Sequence, residues 1–143
     1  MRLTENGRKN TMISTRGRYA LRVMLDLAEH SDGGYITMKD VASRQEISLK
    51  YLERILPVLA KNDYIHGVQG KGGGYKLTKK AEEYRVGDIL RLTEGDLAPV
   101  ACLHGGENTC ERVDCCKTVK MWSKYYEMTN NFFDAITLAD LMK

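Results

Sequence analysis

The sequence predicts a mainly α-helical fold with a small β-hairpin wing, and three observations carry that expectation. Apolar residues recur at three- and four-residue spacing in several stretches, most of them opened by Ser or Thr. The run Gln69–Gly74 sets four glycines around Lys71, between two short β-type segments. An aromatic-rich stretch from Val119 to Ile136 keeps the helical period near the C-terminus. The 143 residues, 43% hydrophobic and 29% charged, are those of an ordinary globular chain with one domain and an accessory segment.

Residues 1–11 show no apolar periodicity and read as a flexible tail, with Met12 an equally good natural start. Ser14 or Thr15 then caps a helix whose apolar positions are Leu21, Met24, Leu25 and Ala28. Arg16, Arg18 and Arg22 sit on its first turns, where they could meet phosphates. The Ser31-Asp32-Gly33-Gly34 turn ends it, and Tyr35-Ile36 is briefly extended. Thr37 opens a short helix with Asp40 three residues on, carrying Met38, Val41 and Ala42 inward. Ser48 opens another, with Leu49, Leu52, Ile55, Leu56 and Leu59 as its buried stripe. Pro57 costs that helix one backbone hydrogen bond.

Two short capped helices around a three- or four-residue turn are the sequence form of a helix-turn-helix. Off the stripe of the second lie Lys50, Tyr51, Glu53 and Arg54, in the half that would enter a major groove. Arg can bridge two acceptors on guanine, and Glu can accept from the cytosine amino group. Such a mix also suits a solvated face, so the decision falls to the next segment. Tyr64–Val68 and Tyr75–Leu77 read as strands, and the tip Lys71, Gly72, Gly73, Gly74 is basic and bare enough to approach phosphates. The run matches neither the P-loop nor the dinucleotide fingerprint. A helix-turn-helix followed by a basic Gly-rich hairpin is a winged helix, and double-stranded DNA is its expected partner.

Residues 81–95 read as a further helix packed through Ile89, Leu90 and Leu92. Beyond Pro99 and the cysteines, Val119, Trp122, Tyr125, Tyr126, Phe132, Phe133 and Ile136 form an apolar stripe on a helix of about twenty residues. We expect it to pair with its copy in a homodimer, through Val119, Trp122, Tyr126 and Phe133, since a two-fold dimer matches a palindromic operator. Thr137 and Asp140 cap a last helical turn. The expected division is a winged helix-turn-helix at 12–95, a cysteine-rich loop at 96–118 and a dimerisation segment at 119–143.

Charge follows the same division. Residues 12–80 hold twelve Lys/Arg against seven Asp/Glu, and residues 81–143 hold seven against eleven. A basic half suits a polyanion, although scattered surface charge gives the same imbalance. No apolar run approaches the roughly 20 residues that span a bilayer, and no secretory signal is evident, so a cytoplasmic protein without a membrane role is expected.

All four cysteines lie between Cys102 and Cys116, as Cys102-x7-Cys110-x5-Cys116 with Cys115 adjacent and His104 two residues after the first. In a reducing compartment such a group favours metal binding or redox chemistry over a structural disulfide. Single, wide spacings around Gly105, Gly106, Asn108 and Thr109 suit a loop draped round an iron–sulfur cluster better than a zinc knuckle. Zinc held by Cys102, His104, Cys110 and Cys116 is the alternative. No nucleophile–base dyad or catalytic carboxylate pair stands out, so no enzyme is expected.

These residues resemble the IscR/NsrR/RirA/CymR family of bacterial winged-helix transcription regulators, from about Met12 to the C-terminus. The likeness rests on STRGRYALRVMLDLA (14–28), ISLKYLERILPVLAKNDYI (47–65), GKGGGYKL (70–77), VGDILRLTEG (86–95), three of the cysteines and ITLADL (136–141). It implies a homodimeric regulator, read as a repressor, that binds operator DNA. In the cysteine-bearing branch it implies a 2Fe–2S or 4Fe–4S cluster at Cys102, Cys110 and Cys116. Where some members place a histidine ligand this chain has Val119, and where others place an aspartate it has Arg18. The fourth ligand is thus left to His104, Cys115 or a group of the second subunit. The cysteine-metabolism branch generally lacks these cysteines, and it supplies the alternative of control by a partner protein or small molecule. From the residues and the resemblance together, Ser48, Lys50, Tyr51, Glu53 and Arg54, the wing residues 71–74, Arg16 and Arg18 are the expected DNA contacts.

Overall fold

A computed structural model of the chain describes residues 13–106 and 110–143. The expected tail at 1–11, the Met12 start, and Asn108 and Thr109 lie outside the described residues. The described elements are α1 (Thr15–Glu29), α2 (Met38–Gln45), α3 (Leu49–Lys61), β1 (Ile65–Val68), β2 (Gly74–Leu77), α4 (Val86–Glu94), α5 (Val119–Asp134) and α6 (Leu138–Leu141). Short 3-10 turns at Ala81–Glu83 and Ala101–Gly106 fill two connections.

Hydroxyl caps set four of the helix starts. The side chains of Ser14, Thr37, Ser48 and Thr137 accept the backbone N–H of Gly17, Asp40, Tyr51 and Asp140. At α6 the bond is reciprocal, because Asp140 accepts the Thr137 N–H at 2.9 Å. Each cap satisfies a donor that the helix cannot, and is worth about 1 kcal/mol.

The main core joins Ala20, Val23, Met24 and Leu27 of α1, Val41 of α2, Leu52, Ile55 and Leu59 of α3, and Ile89 of α4. Leu138 of α6 is fully buried in the same core. Two details differ from the periodicity reading. The stripe of α1 turns slightly, so Leu21 and Leu25 are half-buried while Ala20, Val23 and Leu27 carry the core. Leu49, the first residue of α3, is 47% exposed, because one turn at the helix start projects beyond the core it serves. The expected helix over 81–95 is split, with a 3-10 turn before α4.

The hairpin pairs β1 with β2 antiparallel, Ile65 opposite Leu77 and Val68 opposite Gly74. Ile36 adds a bridge to β2 by exchanging two hydrogen bonds with Tyr75, at 2.9 and 2.8 Å. Gly74, at φ 144°, lies against the Ile36 carbonyl, and a Cβ there would collide with it. Tyr84 locks the hairpin base, donating to the Tyr64 carbonyl at 2.7 Å while its oxygen accepts the N–H groups of Thr78 and Lys79.

A second, smaller cluster of Val86, Leu90 and Leu97 receives Ile13, Leu21, Phe133 and Ile136. The chain from Ile136 onward is stitched to α4 by the Arg85–Thr137 bridge and by hydrogen bonds Val86–Ile136 and Leu138–Tyr84. The chain end from Ile136 thus packs against the winged-helix body. No helix among the described residues is long and apolar enough to cross a membrane.

Candidate nucleic-acid interface and cysteine loop

The turn before α3 is held by a polar hub that the apolar periodicity does not reveal. Asp26 of α1 is completely buried. Its carboxylate accepts Arg44 Nη2 at 2.7 Å, Arg44 Nε at 3.1 Å and Gln45 Nε2 at 2.9 Å. Burial by itself would raise the Asp26 pKa, but the hydrogen bonds from Arg44 and Gln45 outweigh it and hold the group below its ordinary value. Arg22 adds two bonds to Gln45, one to its carbonyl and one to its side chain. These contacts fix the end of α2, and so the turn that launches α3. A carboxylate inside an apolar helical stripe was the signal available for Asp26.

Arg22 is thus a correction to the sequence reading, in which it could meet phosphates. Half-buried, it is committed to Gln45 and lies 5.1 Å from the Tyr19 ring. Arg16 and Arg18 remain exposed, and Arg18 donates to Thr15 Oγ1 at 3.2 Å.

On α3, Lys50, Glu53 and Arg54 are exposed, and none has an ion-pair partner among the described residues. They present two cations and one carboxylate along a helix whose other face is core, a pattern able to address both phosphates and base edges. Tyr51 is half-buried and packs edge-on against Tyr19, ring centroids 5.1 Å apart. Ser48 has committed its oxygen as the N-cap.

The wing tip divides. Lys71 and Gly72 are exposed, and Gly70 and Gly72 have φ of 94° and 79° with open space around them. Gly73 is buried, its N–H donating to the Gly70 carbonyl at 3.0 Å. Gly73 and Gly74 shape the tip, and Lys71 and Gly72 are what it presents.

The cysteine loop follows α4. Cys102, Cys110 and Cys116 are half-buried and Cys115 is exposed. Leu103, beside Cys102, is buried and anchors the first turn of the loop. Cys116 sits 3.4 Å from Thr118 Oγ1, just before α5. Hydrogen bonds from the Thr118 side chain and backbone, helped by the Val119 amide and Arg112, hold its thiol below the ordinary cysteine value. Cys115 Sγ donates to the Arg112 carbonyl at 3.5 Å, and His104 is exposed on the 3-10 turn. Among the described residues no three His, Cys, Asp or Glu side chains converge as a metal-holding group. The structure places the three thiols on one loop and does not gather them to a point.

Helix α5 has no buried residue. Its apolar residues separate into two rows. Phe133 packs into the small cluster of its own chain, and Tyr126 donates to Asp96 Oδ1 at 2.6 Å. Val119 and Trp122 are half-buried. The outward row is Met121, Tyr125, Met128 and Phe132, each at least 55% exposed. Trp122, Tyr125, Met128 and Phe132 also line a groove of about 780 Å³ against Leu97, Ala98 and Pro99.

With this geometry the likeness to known proteins can be stated. The family model described as Rrf2, iron-dependent transcriptional regulator, matches residues 13–143. The chain belongs to the Rrf2 family. It is similar to the protein rrf2 of Nitratidesulfovibrio vulgaris, 41% identical over 132 residues that cover 92% of this chain and 87% of the relative. It is 38% identical to the HTH-type transcriptional regulator IscR of Serratia proteamaculans over 130 residues, 91% of this chain and 78% of that one. Among solved structures it resembles CymR, the global cysteine regulator of B. subtilis, with TM-score 0.76, 30% identity and coverage of 91% and 95%. It also resembles T. potens IscR, with TM-score 0.74, 32% identity and coverage of 95% and 89%. This Rrf2-family chain is therefore a winged-helix transcriptional regulator and not an enzyme. The exposed face of α3 and the wing is where such a fold meets DNA.

Proposed function

We propose that this protein is a cytoplasmic, homodimeric repressor whose grip on operator DNA depends on an iron–sulfur cluster held by Cys102, Cys110 and Cys116. The observation that carries this reading is one of placement. Three half-buried thiols occupy the loop between the winged-helix body and α5, in a chain whose family is described as iron-dependent. The donor set fits the group, because thiolates are the preferred ligands of iron–sulfur clusters and Cys116 is already biased toward thiolate. The fourth ligand is His104, Cys115 or a group of the second subunit. When bound, the cluster supplies a centre that iron limitation, oxygen or nitric oxide can remove or damage.

The division into a reader (12–95), a sensing loop (96–118) and a dimer segment (119–143) belongs to this proposal. Glu53 and Arg54 read bases, with Ser48, Lys50 and Tyr51 beside them. Lys71, the wing glycines, Arg16 and Arg18 meet the phosphate backbone. The outward row of α5 covers itself against a second copy, which sets the spacing of two α3 helices on a palindromic site.

The test is an anaerobic purification followed by visible absorption and analysis of iron and sulfide. A brown protein containing both, and losing both in Cys110→Ala, supports the reading. A colourless protein from iron-replete cells, with zinc or no metal, sinks it. The likeness to CymR favours the second reading in that case: the same DNA reader governed by a partner protein or small molecule.

A further inference from the structure

We propose that Asp96 is a positioning residue that ties the cysteine loop to α5 and, through Gly95 and Glu94, to the DNA-facing start of α1. It rests on the reading above only for its regulatory meaning; the linkage itself concerns residues present in the chain.

The two oxygens of Asp96 are divided between different parts of the molecule. Oδ2 accepts the N–H of Gly105 at 2.5 Å, within the 3-10 turn that carries Cys102 and His104. Oδ1 accepts the Tyr126 hydroxyl of α5 at 2.6 Å and the Ala98 N–H at 3.0 Å. Two residues earlier, Glu94 Oε1 accepts both the backbone N–H and the hydroxyl of Ser14, at 2.9 and 2.6 Å. Ser14 is the N-cap of α1, the helix that displays Arg16 and Arg18. Gly17 lies so close to the Glu94 carboxylate that a Cβ there would collide with it. Gly95 joins the two acids at φ 82°, with open space around it. Displacement of the Gly105 turn therefore pulls on one carboxylate that also holds α5, three residues from the N-cap of the arginine-bearing helix through bonded chain and Glu94. Arg91 also pins α5, to Asp134 at 2.8 Å and to Asn130 at 2.9 Å, and Asn130 in turn bonds to Tyr126. Tyr126 is the side chain of α5 that Asp96 holds. Coupling of this kind needs a shared element whose position both sites bias, and Asp96 is that element.

Asp96→Asn keeps the size and one acceptor oxygen but turns the other into a donor. Tyr126→Phe cuts the α5 arm alone. In cluster-free protein we would measure alkylation of Cys102 by iodoacetamide, emission of Trp122, the chain's one tryptophan, and amide exchange at Gly17. Asp96→Asn is expected to speed Cys102 alkylation, shift the Trp122 emission and speed Gly17 exchange together. Tyr126→Phe is expected to move Trp122 emission and leave Cys102 near the wild-type rate. In protein carrying its cluster, the ratio of affinities with and without cluster, for a duplex selected from random DNA, should shrink on the order of five- to tenfold in Asp96→Asn. Faster Cys102 alkylation with Trp122, Gly17 and that ratio unchanged would overturn the proposal, because Asp96 would then serve the loop alone. If Asp96→Asn fails to fold, Asp96→Glu, which displaces the same charge by one methylene, is read by the same criteria. A wild type without iron and sulfide would sink the cluster reading instead, and the cluster-free measurements would still decide this one.

Discussion

Helices α3 and α5 are both amphipathic, yet they end in opposite situations. Over 13 residues α3 buries Leu52, Ile55, Leu56 and Leu59, while α5 buries nothing over 16. The start of α3 is also clasped, since Ser48 caps it and the Asp26–Arg44–Gln45 hub fixes the helix before it. The difference shows where one chain is complete and where it is not. The core under α3 is finished inside the protomer, so its exposed charges stand on a fully packed base. The face of α5 carrying Met121, Tyr125, Met128 and Phe132 is left over after Phe133 and Tyr126 have met their own domain. An apolar row of that extent is the mark of a surface meant to be covered.

The comparison can be broken most severely at α3. Leu59→Ala should lower unfolding stability by about 2–5 kcal/mol, read from urea denaturation. Phe132→Ala, a larger truncation, should leave protomer stability within about 0.5 kcal/mol, because its side chain is 62% exposed. Equal losses at the two sites would erase the distinction. Next in size is Arg54→Ala, expected to weaken DNA binding by about 1–3 kcal/mol and to relax preference at one base position. Uniform weakening on every duplex would remove Arg54 from base reading.

A charge on the outward row tests the other side. Met128→Glu should raise the dimer dissociation constant at least about tenfold in sedimentation equilibrium, with helix content unchanged. A dimer as tight as the wild type would mean that another face pairs.

The hub also gives a pH signature. Asp26 is held below its ordinary value of 3.8, so the folded state binds this proton more weakly than the unfolded chain. Its contribution is in place above that value and is lost as pH falls through the folded one. Stability should therefore drop on acidification below about pH 4, and Asp26→Asn should be less stable at neutral pH with a flatter acid limb. Lys71→Ala is the smallest effect: uniform weakening across sequences, with the salt slope reduced by about one.

The winged-helix order was legible because its signals are local. Hydroxyl caps at Ser14, Thr37, Ser48 and Thr137, the period of Leu52, Ile55, Leu56 and Leu59, and glycines around Lys71 each act within a few residues. The cysteine spacing was readable for the same reason. Periodicity lost accuracy at the edges of a stripe, as with Leu25 and Leu49, where burial depends on how far the neighbouring element extends.

The sequence by itself determined the helices, the hairpin, the exposed charged face of α3 and the thiols on one loop, since backbone and side-chain chemistry within a turn or two dictates them. Only the tertiary structure decided that Arg22 bonds to Gln45, that Asp26 and Asp96 are hubs, and that α5 splits into a fastened row and an outward one. Those outcomes rest on hydrogen bonds and packing between residues far apart in the chain. Asp96 and Tyr126 stand thirty positions apart, and Ser14 and Glu94 eighty. No periodicity carries such distances, because which side chain meets which is fixed only when the elements dock.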